Sequence, residues 1–261
     1  MHGESATIPP TPFQTPSVAR VRARYSSLCA AAARRFGTAS LGGRMLLIDG
    51  LADEGDALLI SASIAGAASL VLETRLEAVR YCVRNGIVDF AVRTLDEALR
   101  ILKNEIRKQQ PVAVLLESEP SGVLAEMVER GAQPDVVRWT TSNAAIEALK
   151  QRGAEPAPAA DDAELQRAGN VCWRAAEGGG AVLRQVDLLA AQVLPHDDAE
   201  RQNWIARAPR YLPRAMRLER CVTMNKVEQK ALLAAAEERS GQGAFAAKVS
   251  IEIDGQARSF G

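Results

Sequence analysis

From Arg44 onward, short apolar runs alternate with stretches whose apolar residues recur every three or four positions. The runs RMLLID, SLVLE, IVDFAV, PVAVLLE and PDVVRW are rich in Val, Ile and Leu and predict five strands. Between them, LEAVRYCVRN and DEALRILKNEIRKQQ put residues such as Ala98, Ile101, Leu102 and Ile106 on one face and charges on the other, the pattern of helices lying on a core. SGVLAEMVERG predicts a further helix, stopped at Gly131 where a left-handed turn suits glycine. Strands separated by helices rather than tight turns are parallel, because such a crossover needs a dozen or more residues. The pattern therefore predicts an α/β protein with a Rossmann-like doubly wound parallel sheet.

Punctuation in the pattern divides the chain. Residues 1–17 hold several prolines and read as a disordered tail, followed by the Rossmann-like domain over residues 18–152. Residues 18–35 are rich in Arg and Ala and read as an amphipathic helix, with an organellar presequence as the alternative. The segment GAEPAPAADD marks a linker at 153–163. Residues 164–261 form a smaller α/β C-terminal region, with helices around 197–207 and 226–239 and a final strand at VSIEI.

Composition narrows the function. With 261 residues, 47% of them hydrophobic, there is ample core material. Lys and Arg total 32 against 32 Asp and Glu, so nothing global draws the chain to nucleic acid or anionic lipid. The longest apolar stretch, 57–72, is interrupted by serines and falls short of the ~18 to 20 residues a membrane span needs. Four cysteines, Cys29, Cys82, Cys172 and Cys221, form no CxxC, and two histidines cannot assemble a histidine-rich metal site. A reducing, cytoplasmic setting, no metal, no nucleic acid and no membrane are expected.

The first strand ends at Asp49 and leads through GLADEGDALLISASIAG into a helix, and Glu73 closes the next strand 23 residues after Gly50. Dinucleotide-binding folds have this geometry: glycines admit a diphosphate, the helix N-terminus donates N–H groups, and the distal acid holds the ribose. The stretch GRMLLIDGLADEGDALLISASIAGAASLVLE, 43–73, resembles in register the central segment of urocanase, the NAD-dependent urocanate hydratase. VDFAVRTLDEALRIL and VERGAQPDVV continue the likeness, and CWRAAEGGGAVLRQVD and LPHDDAERQNW extend it more loosely.

The resemblance implies an NAD site at Gly50, Gly55, Glu73, Thr141 and Ser142, and a catalytic-site thiol at Cys221, which follows YLPRAMRLER. NAD would act there as an electrophile toward the substrate imidazole. The departures weigh against retention. Ala52, Asp53 and Asp56 stand at loop glycines of the family with Glu54 among them, SEPS replaces its GNAA, and Ala144 and Ala145 replace its His and second Asp. A carboxylate within ~5 Å of a phosphate repels it by roughly 3 kcal/mol at an effective dielectric near 20, so no cofactor is expected unless the family function is retained. Three readings of the acidic turn stay open: Asp53 caps the helix while Glu54 and Asp56 complement its dipole, the acids hold a cation, or NAD binds in an altered pose. Cys221 has the alternative of a buried inert thiol, and His196, flanked by Asp197 and Asp198, reads as a solvent-facing turn residue.

The reading favoured is a catalytically impaired urocanase homologue serving as a small-ligand-binding or interaction protein, with a homodimer open. The alternative is a divergent NAD-dependent hydratase-type lyase. A third is a subunit whose site another chain completes.

Overall fold

A computed structural model describes residues 16–52, 54–140, 143–159, 169–176 and 178–261. Helix α1 (Val18–Phe36) starts where Ser17 accepts the Arg20 amide, so the predicted amphipathic helix is present and capped. Residues 1–15, nearly all of the expected tail, lie outside the described residues.

The five predicted strands are β1 (Met45–Ile48), β2 (Ala68–Leu72), β3 (Phe90–Val92), β4 (Val112–Leu116) and β5 (Val136–Arg138). They alternate with α2 (Gly55–Ala65), α3 (Leu76–Asn85), α4 (Leu95–Lys108) and α5 (Pro120–Glu129), and α6 (Ala144–Gln151) follows β5. A two-residue strand, β6 (Glu155–Pro156), pairs with β5, so the segment expected as a linker begins as the edge of the sheet. All pairings are parallel, in the order β3-β4-β2-β1-β5-β6.

Both faces of this sheet are covered, which is why its inner strands are unbroken apolar runs. Leu46, Ile48, Val71, Ala113 and Leu115 face α1, α2 and α3, while Met45, Leu47, Leu70, Val114 and Leu116 face α4, α5 and α6. Every residue of α2 is buried, because α1 and a C-terminal helix, Ala199–Tyr211, cover its outer side. Its serines Ser61 and Ser63 donate to the Ala57 and Leu59 carbonyls and so leave no hydroxyl unpaired.

The C-terminal region builds a second, antiparallel sheet from β7 (Asn170–Ala175), β8 (Glu219–Thr223), β9 (Val249–Ile253) and β10 (Gln256–Phe260), in the order β10-β9-β7-β8. Helices α7 (Gly180–Val193), α8 (Ala199–Tyr211) and α9 (Lys226–Gly241) accompany it, and the predicted VSIEI strand is β9. Asn225 and Glu228 form a reciprocal capping box at the start of α9.

One hydrophobic cluster runs through both parts, from Val21 and Leu28 of α1 through Leu58 and Ile64 to Trp173, Trp204, Val222 and Ile251. Helix α1 is the seam. It lies on α2 on one side and on β8 and α8 on the other. The buried guanidinium of Arg22 grips Glu200 with two bonds, 2.5 and 2.8 Å, and stacks near the rings of Tyr25 and Trp204. No helix among the described residues is long and apolar enough to cross a membrane.

Candidate functional site

β1 is bordered by β2 on one side and β5 on the other, and the chain runs outward from β1 in both directions. The carboxyl ends of β1 and β5 therefore bound the crevice where open α/β sheets receive ligands. Asp49 and Arg138 occupy those two ends. Arg138 Nη1 lies 2.7 Å from Asp49 Oδ1, and both side chains are largely buried. The same guanidinium donates to the Gly50 carbonyl at 3.2 Å and to the Ala52 carbonyl at 3.0 Å. Thr140 donates its hydroxyl and its amide to the other Asp49 oxygen. The mouth of the crevice is thus latched by the chain's own groups.

The turn from β1 into α2 is equally self-contained. At Gly55 an added Cβ would lie 2.0 Å from the Gly50 carbonyl oxygen, so this glycine serves close packing of the turn on itself. Three amides that open α2 find partners inside the chain: Gly55 donates to the Ala52 carbonyl, Leu58 to the Glu54 carbonyl, and Ala57 to the Asp56 carboxylate at 2.6 Å. A helix N-terminus is an anion site because its first N–H groups are unpaired. Here Asp56 supplies the anion, and burial pushes its carboxyl up to about 6.

Glu73, at the ribose-binding place after β2, is buried and also committed. Its two oxygens accept from the Leu51 amide, the Arg75 amide and the Arg75 side chain, at 2.8 to 3.2 Å. Burial pushes this carboxyl up, but the hydrogen bonds from Arg75 and Leu51 outweigh it and hold the group below the usual range.

Glu54 sits in the N-cap position of α2 with a left-handed backbone, φ 72°, and makes no capping bond. Its carboxylate instead pairs with Arg20 and Arg24 of α1, the latter at 2.6 Å. Repulsion between an acidic turn and a diphosphate was one reason expected for disfavouring NAD, beside side chains standing at former loop glycines. Of the acids in that turn, Glu54 is paired with Arg20 and Arg24, Asp56 accepts from the Ala57 amide, and Asp53 lies outside the described residues.

The residues expected to hold cofactor therefore divide. Gly50, Gly55 and Glu73 come together around the β1–α2 turn, each engaged with its own chain, and Thr141 and Ser142 lie outside the described residues, as does Asp53, expected as the helix cap. Cys221 is elsewhere, fully buried in β8 of the second sheet, facing Cys172. His196 is exposed in the turn before α8. Among the described residues no group of three or more His, Cys, Asp or Glu could hold a metal ion.

The residues that sequence reasoning missed are Asp49 and Arg138, together with Arg20 and Arg24. Opposite charges closing the first and fifth strands were a readable signal, but their meeting depends on a strand order that periodicity does not supply. Residues 21–148 match the family model of the urocanase Rossmann-like domain.

Proposed function

Because the chain belongs to the urocanase family through that domain, we propose that it is a family member without hydratase activity, serving as a small-ligand-binding or interaction protein. The observation that supports this reading is the self-paired β1–α2 turn: Asp56 on the Ala57 amide and Arg138 on Asp49, Gly50 and Ala52. The family reaction relies on NAD as its electrophile, and cofactor chemistry of this kind needs the protein to hold the cofactor in place. No step of that reaction is assigned to the residues present.

Freeing the crevice would mean breaking a largely buried ion pair and uncovering an anion at a helix end. Removing one partner of a buried pair costs on the order of 3 to 5 kcal/mol, an upper bound on what opening this latch would ask of a dinucleotide. A small ligand or a second copy of the chain is the class of partner this reading leaves.

Native mass spectrometry of the full chain, with and without added NAD, tests the proposal alongside the absorbance of urocanate. The expected result is a chain that carries no dinucleotide, takes none up at millimolar NAD, and leaves urocanate unchanged. Copurified NAD together with turnover of urocanate would establish the divergent lyase instead.

A further inference from the structure

We propose that Cys172 and Cys221 form a redox-active dithiol that a hydroperoxide oxidises to an intrachain cross-strand disulfide. The two residues are directly opposite in the antiparallel β7–β8 pair. The flanking bonds fix the kind of pair they make. Met224 donates to Gly169 and Ala175 donates to Leu218, so the hydrogen-bonded positions are 169/224, 171/222, 173/220 and 175/218. Cys172/Cys221 falls between them as a non-hydrogen-bonded pair. Such pairs bring Cα atoms to about 4.5 Å and their side chains closest together, inside the range a disulfide spans. The sulfurs are already 2.8 Å apart.

The surroundings assign different roles to the two thiols. Cys172 is half-buried on the outer face of the sheet, and its neighbours on that face are Arg174, Glu219 and Glu252, with Arg174 bridging the two glutamates at 2.9 and 3.1 Å. The hydrogen bond from Cys221 holds the Cys172 thiol below the ordinary range, while that bond and burial push Cys221 well above it. Cys172, half-buried, is the thiol that an oxidant in solvent can reach, and Cys221, fully buried, is the resolving partner. Cys29 and Cys82 are buried, with thiols pushed up to about 12 by desolvation, and neither has another cysteine opposite it.

The chemistry balances with a hydroperoxide as the oxidant. The Cys172 thiolate attacks a peroxide oxygen, forming an S–O bond as the O–O bond breaks and hydroxide leaves. Cys221 Sγ then attacks Cys172 Sγ, the S–O bond breaks, and the oxygen departs as water with the proton from Cys221. Two thiols lose two electrons, and hydrogen peroxide becomes two waters. A small dithiol reverses the step by exchange.

The test uses the full chain, reduced, freed of reductant, exposed to hydrogen peroxide, alkylated after unfolding and mapped without reduction. The expected map shows the four free thiols falling to two, with a peptide pair joined through Cys172 and Cys221 that dithiothreitol releases. Cys221→Ser should leave a dimedone-reactive sulfenic acid at Cys172, whereas Cys172→Ser should leave Cys221 unmodified. Cys172 carried to sulfinic acid with Cys221 still free, a link between two chains, or four unmodified thiols would each overturn the proposal. The wild-type map decides the matter even if a variant fails to fold.

Discussion

At Asp56 one carboxylate serves two opposed demands, neutralising a helix N-terminus while buried away from water. Burial wins, and the group's pKa rises to about 6 from the ordinary value near 4. In that window the unfolded chain has released a proton that the folded chain keeps, so the contribution of this one group to stability is fully present below about pH 4 and is lost as pH rises through about 6. A rise of this size is worth at most about 3 kcal/mol. Asp56→Asn keeps an oxygen for the Ala57 amide and removes the charge. The variant should be more stable than the parent by up to about 3 kcal/mol at pH 7.5 and equal to it near pH 3.5, read from urea midpoints at both values. A gain of the same size at both would show that the charge is not the cause. The acids at 54 and 56 were plain in the sequence, but that Glu54 meets two arginines and Asp56 a backbone amide was not. Arg20 and Arg24 come from a helix about thirty residues earlier, and charge pairing across elements leaves no local periodicity to read.

The β1–α2 turn shows how an element can be legible while its geometry is not. Two glycines and a following apolar run announce a strand–turn–helix, and the structure has one. Yet Gly55 is required by the Gly50 carbonyl rather than by a ligand, a distinction only coordinates make. Gly55→Ala should cost about 3 kcal/mol or more, at the upper end for overpacking, because the turn must open and loosen Arg138 from its carbonyls. Gly122→Ala, inside α5 with open space around it, should instead stabilise the chain by about 0.5 to 1 kcal/mol. Thermal melts of the two variants check the contrast. The five parallel strands were readable because both faces are buried and the runs are continuous. β7, β8 and β10 were not, since NVCWRA, ERCVT and QARSF mix charges into strands with one wet face. Helix α7 hid behind three glycines, although Val182, Leu183, Val186, Leu189 and Ala190 do bury at helical spacing.

Across the whole molecule, the composition change near residue 153 suggested two units, but the apolar cluster passes through it. α1 and α2 present to the C-terminal region surfaces that water would otherwise reach. Unfolding should therefore be a single event. Trp173 and Trp204 are buried in the C-terminal region, so in a Trp139→Phe variant, which removes the third tryptophan, fluorescence in rising urea should give the same midpoint as far-ultraviolet circular dichroism, which is dominated by helices of both parts. Two separated midpoints would show that the parts unfold independently. The seam has a further consequence for how the chain is made. Arg22 and Glu200 are 178 positions apart, and at ribosomal speeds of about 5 to 20 residues per second the first helix leaves the ribosome roughly ten to forty seconds before its partner exists. During that interval α2 can already cover one side of the helix, but the Tyr25 ring still lacks Trp204 and stands open on a nascent chain, a natural handle for a chaperone and a liability wherever synthesis outruns one.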